Sequence, residues 1–207
     1  ITSCNEVDLI NELGMQAIIT DHHEQGETIP NAYAVIDPKK LDTNYPFSGL
    51  CGAGVAYKLM VALHSKLTNK PNLSENLEEF FDFVAFATIA DIVPLLDENR
   101  YLVQKGLRLF APNCENKRDI FAKLIEVAGL NYKAITSESI GFQLAPRINA
   151  IGRIDSAEVA VEYFNFAKDE RISELAILLN KKNEERKVIE NNLFEEVKKQ
   201  VPPPEEC

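Results

Sequence analysis

Residues 15–38 read MQAIITDHHEQGETIPNAYAVIDP, and this stretch decides the fold. MQAIIT predicts a short buried strand, DHHEQGETIPN a loop rich in turn formers, and AYAVID a second strand ended by Pro38. Upstream, residues 5–13 predict a helix stopped by Gly14. Helix, strand, loop, strand at this spacing predicts an α/β domain built on a parallel sheet. In such sheets ligands gather beyond the carboxyl ends of the strands. Asp21, His22, His23 and Glu24 fall there, with no spacer after the strand.

Downstream the pattern turns helical. KKLDTNYPFSGL is a long polar connection, and residues 52–65 form a helix with Val55, Leu59, Ala62 and Leu63 on one expected apolar face. A polar gap, TNKPNLSEN, leads to a strongly apolar helix over 77–90. Further helices are expected near 98–110, 117–128, 137–145 and 156–167. Residues 169–199 read as one long charged helix. Its run LLNKKNEERKVIENNLFEEVKK is too sparse in apolar residues for a core helix, so a connector between domains is expected. The expected organisation is one domain over 1–168, a connector helix over 169–200 and a disordered tail over 201–207. No internal repeat is present.

The bulk composition narrows the class. With 207 residues, 45% of them apolar and 8% aromatic, the chain can fill a sizeable core. No apolar run approaches the roughly 18–20 residues of a membrane span, and ITSCNEVDLI lacks the character of a signal peptide, so a cytoplasmic location is expected. The four cysteines, Cys4, Cys51, Cys114 and Cys207, form no C-x-x-C pair, which argues for reduced thiols rather than a disulfide framework or a zinc finger. A net charge of −10 opposes wrapping nucleic acid by overall basicity but leaves room for a local basic groove.

Four stretches carry chemistry. Asp21, His22 and His23 offer carboxylate and imidazole, the donors that suit divalent ions such as manganese, and adjacent side chains can split coordination from phosphate contact. In FATIADIVPLL, Asp91 follows an apolar run, as either a helix cap or a buried ligand that needs a partner. In GFQLAPRINAIGRIDSA, Arg147 and Arg153 flank Asn149 and Gly152 in a segment read as too irregular for a helix. Arginine forks suit phosphate oxygens, and the competing reading is an arginine-stapled turn. Asp155 or Ser156 is the expected N-cap of the next helix. In SGLCGAGVAYKL the glycines do not follow the dinucleotide fingerprint; close packing of a helix start, or an anion there, is expected instead. His64 reads as an ordinary surface or packing residue.

Together, ITDHHE, AYAVIDPKK, YPFSGLCGAGVAYKL, ATIADIVPLLDENRYLVQKGL and GFQLAPRINAIGRIDSAEVAVE resemble the DHH phosphoesterase superfamily, and within it the single-strand-specific DNA exonucleases. The resemblance runs in family order from residue 1 to about 195. It implies a parallel α/β domain with a two-metal centre of Mn2+ or Mg2+, joined by a long helix to a second domain. It implies His22 as a metal ligand, His23 as the phosphate-facing histidine, Asp21 as ligand or orienting group, and Asp91 as a carboxylate ligand; His22, His23 and Asp91 would be catalytic. Arg147, Asn149 and Arg153 match the segment along the nucleic-acid backbone.

The implied activity is 5′-to-3′ hydrolysis of single-stranded DNA in repair and recombination. Helicase or single-strand-binding protein are implied partners, and no membrane is involved. Family members carry two earlier acidic motifs on strands before the first helix, and a second domain. The chain is therefore expected to be an internal fragment, crippled alone. The competing expectations are a DHH phosphodiesterase acting on short oligonucleotides, cyclic dinucleotides or pyrophosphate, and a non-catalytic relative that binds DNA or a replication partner.

Overall fold

The computed structural model describes residues 1–69, 75–111, 114, 118–154, 158–165 and 170–200. It divides into two compact units, Ile1–Asn116 and Lys117–Cys207. The boundary lies within the span 1–168.

The first unit has an α/β core with a small parallel sheet. Helix α1 (Cys4–Glu12) closes where Gly14 takes φ +71, letting the Met15 N–H reach back to the Ile10 carbonyl. Strands β1 (Ile18–Thr20) and β2 (Ala34–Ile36) then pair in parallel, Ile18 against Ala34 and Thr20 against Ile36. Both are shorter than the apolar runs that announce them. Helix α2 (Gly52–Thr68) starts at Cys51, whose Sγ accepts from the Gly54 N–H, and ends at Asn69 in the left-handed region.

The buried face of α2 differs from the expected one. Val55 is buried, but Ala62 is exposed and Leu63 is half-exposed; Tyr57, Met60 and Val61 pack inward instead. Tyr57 reaches Phe81, with ring centroids 5.4 Å apart, and this aromatic contact sets the rotation of the helix. The apolar run at 77–90 is not one helix but two, α3 (Glu75–Glu78) and α4 (Phe81–Ala90). Helix α4 is apolar on every side because it is the buried centre of the unit. Helix α5 (Asp97–Leu109) lies against it, and Leu50, Val55, Tyr57, Phe81, Val84 and Leu102 form one cluster.

The second unit is all-helical: α6 (Asp119–Val127), a short α7 (Ser137–Ser139), α8 (Ala145–Ile154), α9 (Glu158–Asn165) and α10 (Glu170–Gln200). Thr136 and Ser139 form a reciprocal capping box that opens α7. Between α7 and α8 the turns widen to π geometry over Ile140–Leu144. The segment expected to be irregular is thus helical, and Pro146 falls directly after the π turns, where the ordinary i→i−4 ladder is already interrupted. Helix α10 buries Ile172, Leu175, Ala176 and Leu179 against α6 and α8, while Val188, Ile189, Leu193 and Phe194 in its second half are exposed. The expected caps Asp155 and Ser156, and the tail 201–207, lie outside the described residues. Among the described residues no helix is long and apolar enough to cross a membrane.

Candidate metal centre

The sheet delivers Asp21. Its N–H donates to the Ile36 carbonyl at 3.0 Å, so the β1–β2 ladder runs one residue past Thr20 before the chain turns. The turn is closed by the Asp21 carboxylate. Oδ1 accepts from the His22 N–H at 2.7 Å and the His23 N–H at 3.3 Å, and lies 2.7 Å from His23 Nδ1; Oδ2 pairs with the Ile1 amino group. The Asp21 carboxylate thus aims both histidine amides and the His23 ring.

His22 and His23 leave the turn in different directions of exposure. His23 is 72% exposed and His22 only 18%. Their ring centroids lie 4.3 Å apart. Ligand atoms of Asp21, His22 and His23 all fall within 4.8 Å of one another. The inner ring, His22, rests on the start of α2. A Cβ added to Gly52 would stand 3.3 Å from His22 Cδ2, so the glycine provides the room for this approach. Close packing of the helix start, one of the two expectations for the SGLCGAG stretch, is what the structure shows.

Asp91 arrives from α4, with Oδ2 3.4 Å from His22 Nδ1. It is the C-cap residue of that helix and is 43% exposed, so it is a terminal residue rather than a buried ligand. A carboxylate at a helix C-terminus opposes the helix dipole by about 0.3–1 kcal/mol. Ile92, the next residue, is 89% exposed and holds φ +58, a conformation that is strained for a β-branched side chain. Unfavourable charge placement and backbone strain at adjacent positions are what functional constraint leaves behind. The donor set of two carboxylates and two imidazoles fits the oxygen and nitrogen chemistry of manganese, and less closely that of the all-oxygen magnesium sites.

Two polar residues that the sequence reading did not single out support the site. Asn99 is fully buried in α5, and its Nδ2 donates to the Gly49 carbonyl at 2.6 Å and the Pro94 carbonyl at 2.9 Å. It thereby ties the loop before α2 to the loop after Asp91. Its only sequence signal was an asparagine at a position facing inward from α5. Thr88, also buried, lies 3.4 Å from Cys51 Sγ and so links α4 to the start of α2.

The arginine segment lies in the second unit. Arg147 is 7% exposed, donates from Nε to Asn180 Oδ1 at 2.9 Å and from Nη1 to the Gln143 carbonyl, and so staples α8 to α10. Burial pushes its guanidinium pKa down, opposed by the Glu184 carboxylate. Asn149 is exposed on α8. Arg153 stands in the last turn of α8, and its side chain lies outside the described part.

Comparison with known proteins finds relatives along nearly the whole chain. The profile described as "DHH family, N-terminal domain" matches residues 1–88. Single-stranded-DNA-specific exonuclease RecJ of Bacillus subtilis is 39% identical over 197 residues, 95% of this chain and 23% of that protein. RecJ of Escherichia coli is 38% identical, over 93% of this chain and 34% of that protein. The crystal structure of exonuclease RecJ bound to manganese superposes with a TM-score of 0.80 at 31% identity, covering 98% of this chain and 49% of that one. RecJ of Thermus thermophilus in complex with Mn2+ gives 0.81 at 30% identity, over 98% and 29%; the Mg2+ complex gives 0.73. The chain spans about a quarter to a third of the length of the curated relatives it matches.

Proposed function

The chain belongs to the DHH family and is RecJ-like along nearly its whole length, and from that premise we propose that it carries part of the catalytic centre of a metal-dependent exonuclease hydrolysing phosphodiester bonds of single-stranded DNA. The observation that carries the reading is the convergence of Asp21, His22 and His23 within 4.8 Å at the carboxyl end of β1, with Asp91 alongside His22. His22 and Asp91, with Asp21, would hold divalent metal, preferentially Mn2+ and otherwise Mg2+. The bound ions supply Lewis acidity to the phosphate and its leaving oxygen.

The protein's own groups do the rest. The Asp21 carboxylate fixes the His23 tautomer by holding Nδ1–H, leaving Nε2 to face a phosphate oxygen. Asp91 at His22 Nδ1 likewise leaves Nε2 of His22 as the coordinating atom. Asn149 and Arg153 on α8 would meet the phosphate backbone, while Arg147 keeps α8 seated on α10 so that they can. Residues 1–168 would act as the phosphoesterase domain and 169–200 as the connector helix. A 5′-to-3′ polarity and action in DNA repair and recombination, with helicase or single-strand-binding protein as partners, complete the proposal.

Calorimetric titration of the chain with Mn2+, beside a His22→Ala, Asp91→Ala double variant, tests it. Binding by the chain with loss in the variant is the expected result. Equal heats from both, or none from the unaltered chain, overturn the assignment.

A further inference from the structure

A second polar group waits at the same sheet end. Asp37 follows β2 as Asp21 follows β1, and the parallel register of Thr20 with Ile36 sets the two strand ends one inter-strand spacing apart, about 4.8 Å. Asp37 is 96% buried, being 4% exposed. Its Oδ1 accepts from the Lys39 N–H at 2.8 Å, but Oδ2 is buried with no hydrogen-bond partner among the described residues. A buried carboxylate oxygen left unpaired costs more than most single interactions contribute, so a structure that keeps one has a reason to.

Asp37 lines a cavity of about 360 Å³, within the range of small-molecule sites, which runs from about 300 to 1,000 Å³. Val35, Ile36, Leu50 and Val55 give it apolar walls beside Tyr45 and Lys58, and the loop residues Asp42, Thr43 and Asn44 add a polar side. Tyr45 is pinned: its hydroxyl donates to Glu98 at 2.5 Å, and Lys58 Nζ donates to the same carboxylate at 2.6 Å. The cationic heads on these walls are already engaged, Lys58 with Glu98 and Lys40 with Asp42 at 3.1 Å. What remains is a cavity with apolar walls, a fixed aromatic edge and, as one wall, the residue that carries the unpaired acceptor. That description fits a planar heterocycle bearing an N–H donor, and it fits a metal ion or a free anion poorly.

We propose that this cavity receives the base of the nucleotide whose phosphate sits at the Asp21–His22–His23 cluster, with Asp37 Oδ2 accepting from an exocyclic amino group. The assignment of the neighbouring strand end rests on the phosphodiesterase reading; the cavity and its unpaired oxygen do not. Bases with amino groups, such as cytosine, are preferred over thymine, whose pairing edge carries one imide N–H between two carbonyls.

The test uses uncharged nucleosides and no metal, so that it reads the cavity alone. The chain labelled at methyl groups is titrated with 2′-deoxycytidine, thymidine and 2-deoxyribose. Expected are shifts of the Val35, Val55 and Leu50 methyl signals with deoxycytidine, binding at least tenfold weaker for thymidine, and none for deoxyribose. Asp37→Asn retains an acceptor for the Lys39 N–H while turning a donor into the cavity. It should weaken deoxycytidine at least tenfold and narrow or reverse the gap to thymidine. The variant's methyl spectrum and its Mn2+ titration report that it is folded. Absence of these shifts, shifts confined to other methyl groups, or unchanged binding in the folded Asp37→Asn variant overturns the proposal. Silent nucleosides beside intact His22-dependent Mn2+ binding would sink the base subsite and leave the metal centre standing.

Discussion

Gly106→Ala sets two physical effects against each other with opposite signs. Gly106 lies in the interior of α5, where alanine is favoured over glycine by about 1 kcal/mol of helix propensity. Propensity alone therefore predicts a more stable protein. The structure predicts the reverse. A Cβ at this position would stand 2.1 Å from the Phe81 carbonyl oxygen and 2.4 Å from Ala85 Cβ, both on α4. Carbon atoms in contact sit at about 3.5–4.0 Å, so the two helices must part by more than an ångström. The atoms in the way are backbone and a methyl group, which cannot swing aside. Parting the helices also loosens Val84, Leu102 and Val103, each now at most 5% exposed. Overpacking costs about 1–3 kcal/mol where flexible side chains absorb it. Backbone contact places this case at the upper end, so that the net loss after the propensity gain is about 2 kcal/mol. With a urea dependence of about 1–3 kcal/mol per molar, the unfolding midpoint of the first unit should fall by about 0.7–2 M. Urea titration followed through amide signals of α4 and α5 gives the number. A midpoint that is unchanged or raised would refute the packing argument, because that is what propensity alone delivers.

Two further perturbations probe other parts of the account. The Tyr57 hydroxyl is buried without a hydrogen-bond partner among the described residues, and burial, with Glu78 and Tyr101 adding to it, pushes its pKa up to about 12. A pKa raised in the folded state contributes stability that is complete below the unfolded value near 10 and is lost between about pH 10 and pH 12. Tyr57→Phe should thus leave neutral-pH stability unchanged or improved and lessen the alkaline loss, as urea midpoints at pH 7 and pH 11 would show. Arg147→Met removes the staple between α8 and α10 and should cost about 1.5–3 kcal/mol, the range for hydrogen bonds to charged groups. Arg147→Lys should recover little of this in thermal unfolding, since one ammonium cannot reproduce the guanidinium fork.

The β-branched run before Asp21 and the run AYAVID carried the parallel sheet, but the expected burial of the first strand did not follow: Ile18 is 62% exposed and β2 is only half-buried. The acid–imidazole cluster was equally legible, since its members are adjacent in the chain. Asp91 was legible as an oddity only: a carboxylate ending an apolar helix has two explanations, and which holds depends on where His22 stands. Tertiary contacts settled the rest. The face of α2 was misjudged at Ala62 and Leu63 because one aromatic contact, Tyr57 on Phe81, rotates the helix. GFQLAPRINAIGRIDSA was expected to be too irregular for a helix; its residues 141–154 are helical, with π turns directly before Pro146 where the regular ladder gives way. Asn99 and Asp37 fall inside stretches that carry the family resemblance, yet nothing in those stretches singles them out. Their importance lies in which carbonyls one of them meets and which cavity the other lines, and neither is written along the chain.

The central claim is that His22, with Asp21 and Asp91, holds a divalent metal ion directly beside His23. The chain has three histidines, and the third, His64, is an internal control. It stands on α2 twelve residues beyond Gly52, about 18 Å along the helix from the His22 contact. Substoichiometric Mn2+ added while the three imidazole proton signals are followed by NMR gives a direct reading. Paramagnetic broadening falls as the inverse sixth power of distance. The account predicts that the His22 and His23 signals vanish first while His64 stays sharp, and that His22→Ala protects the His23 signal. Equal broadening of all three, or broadening of His23 undiminished in that variant, would contradict it.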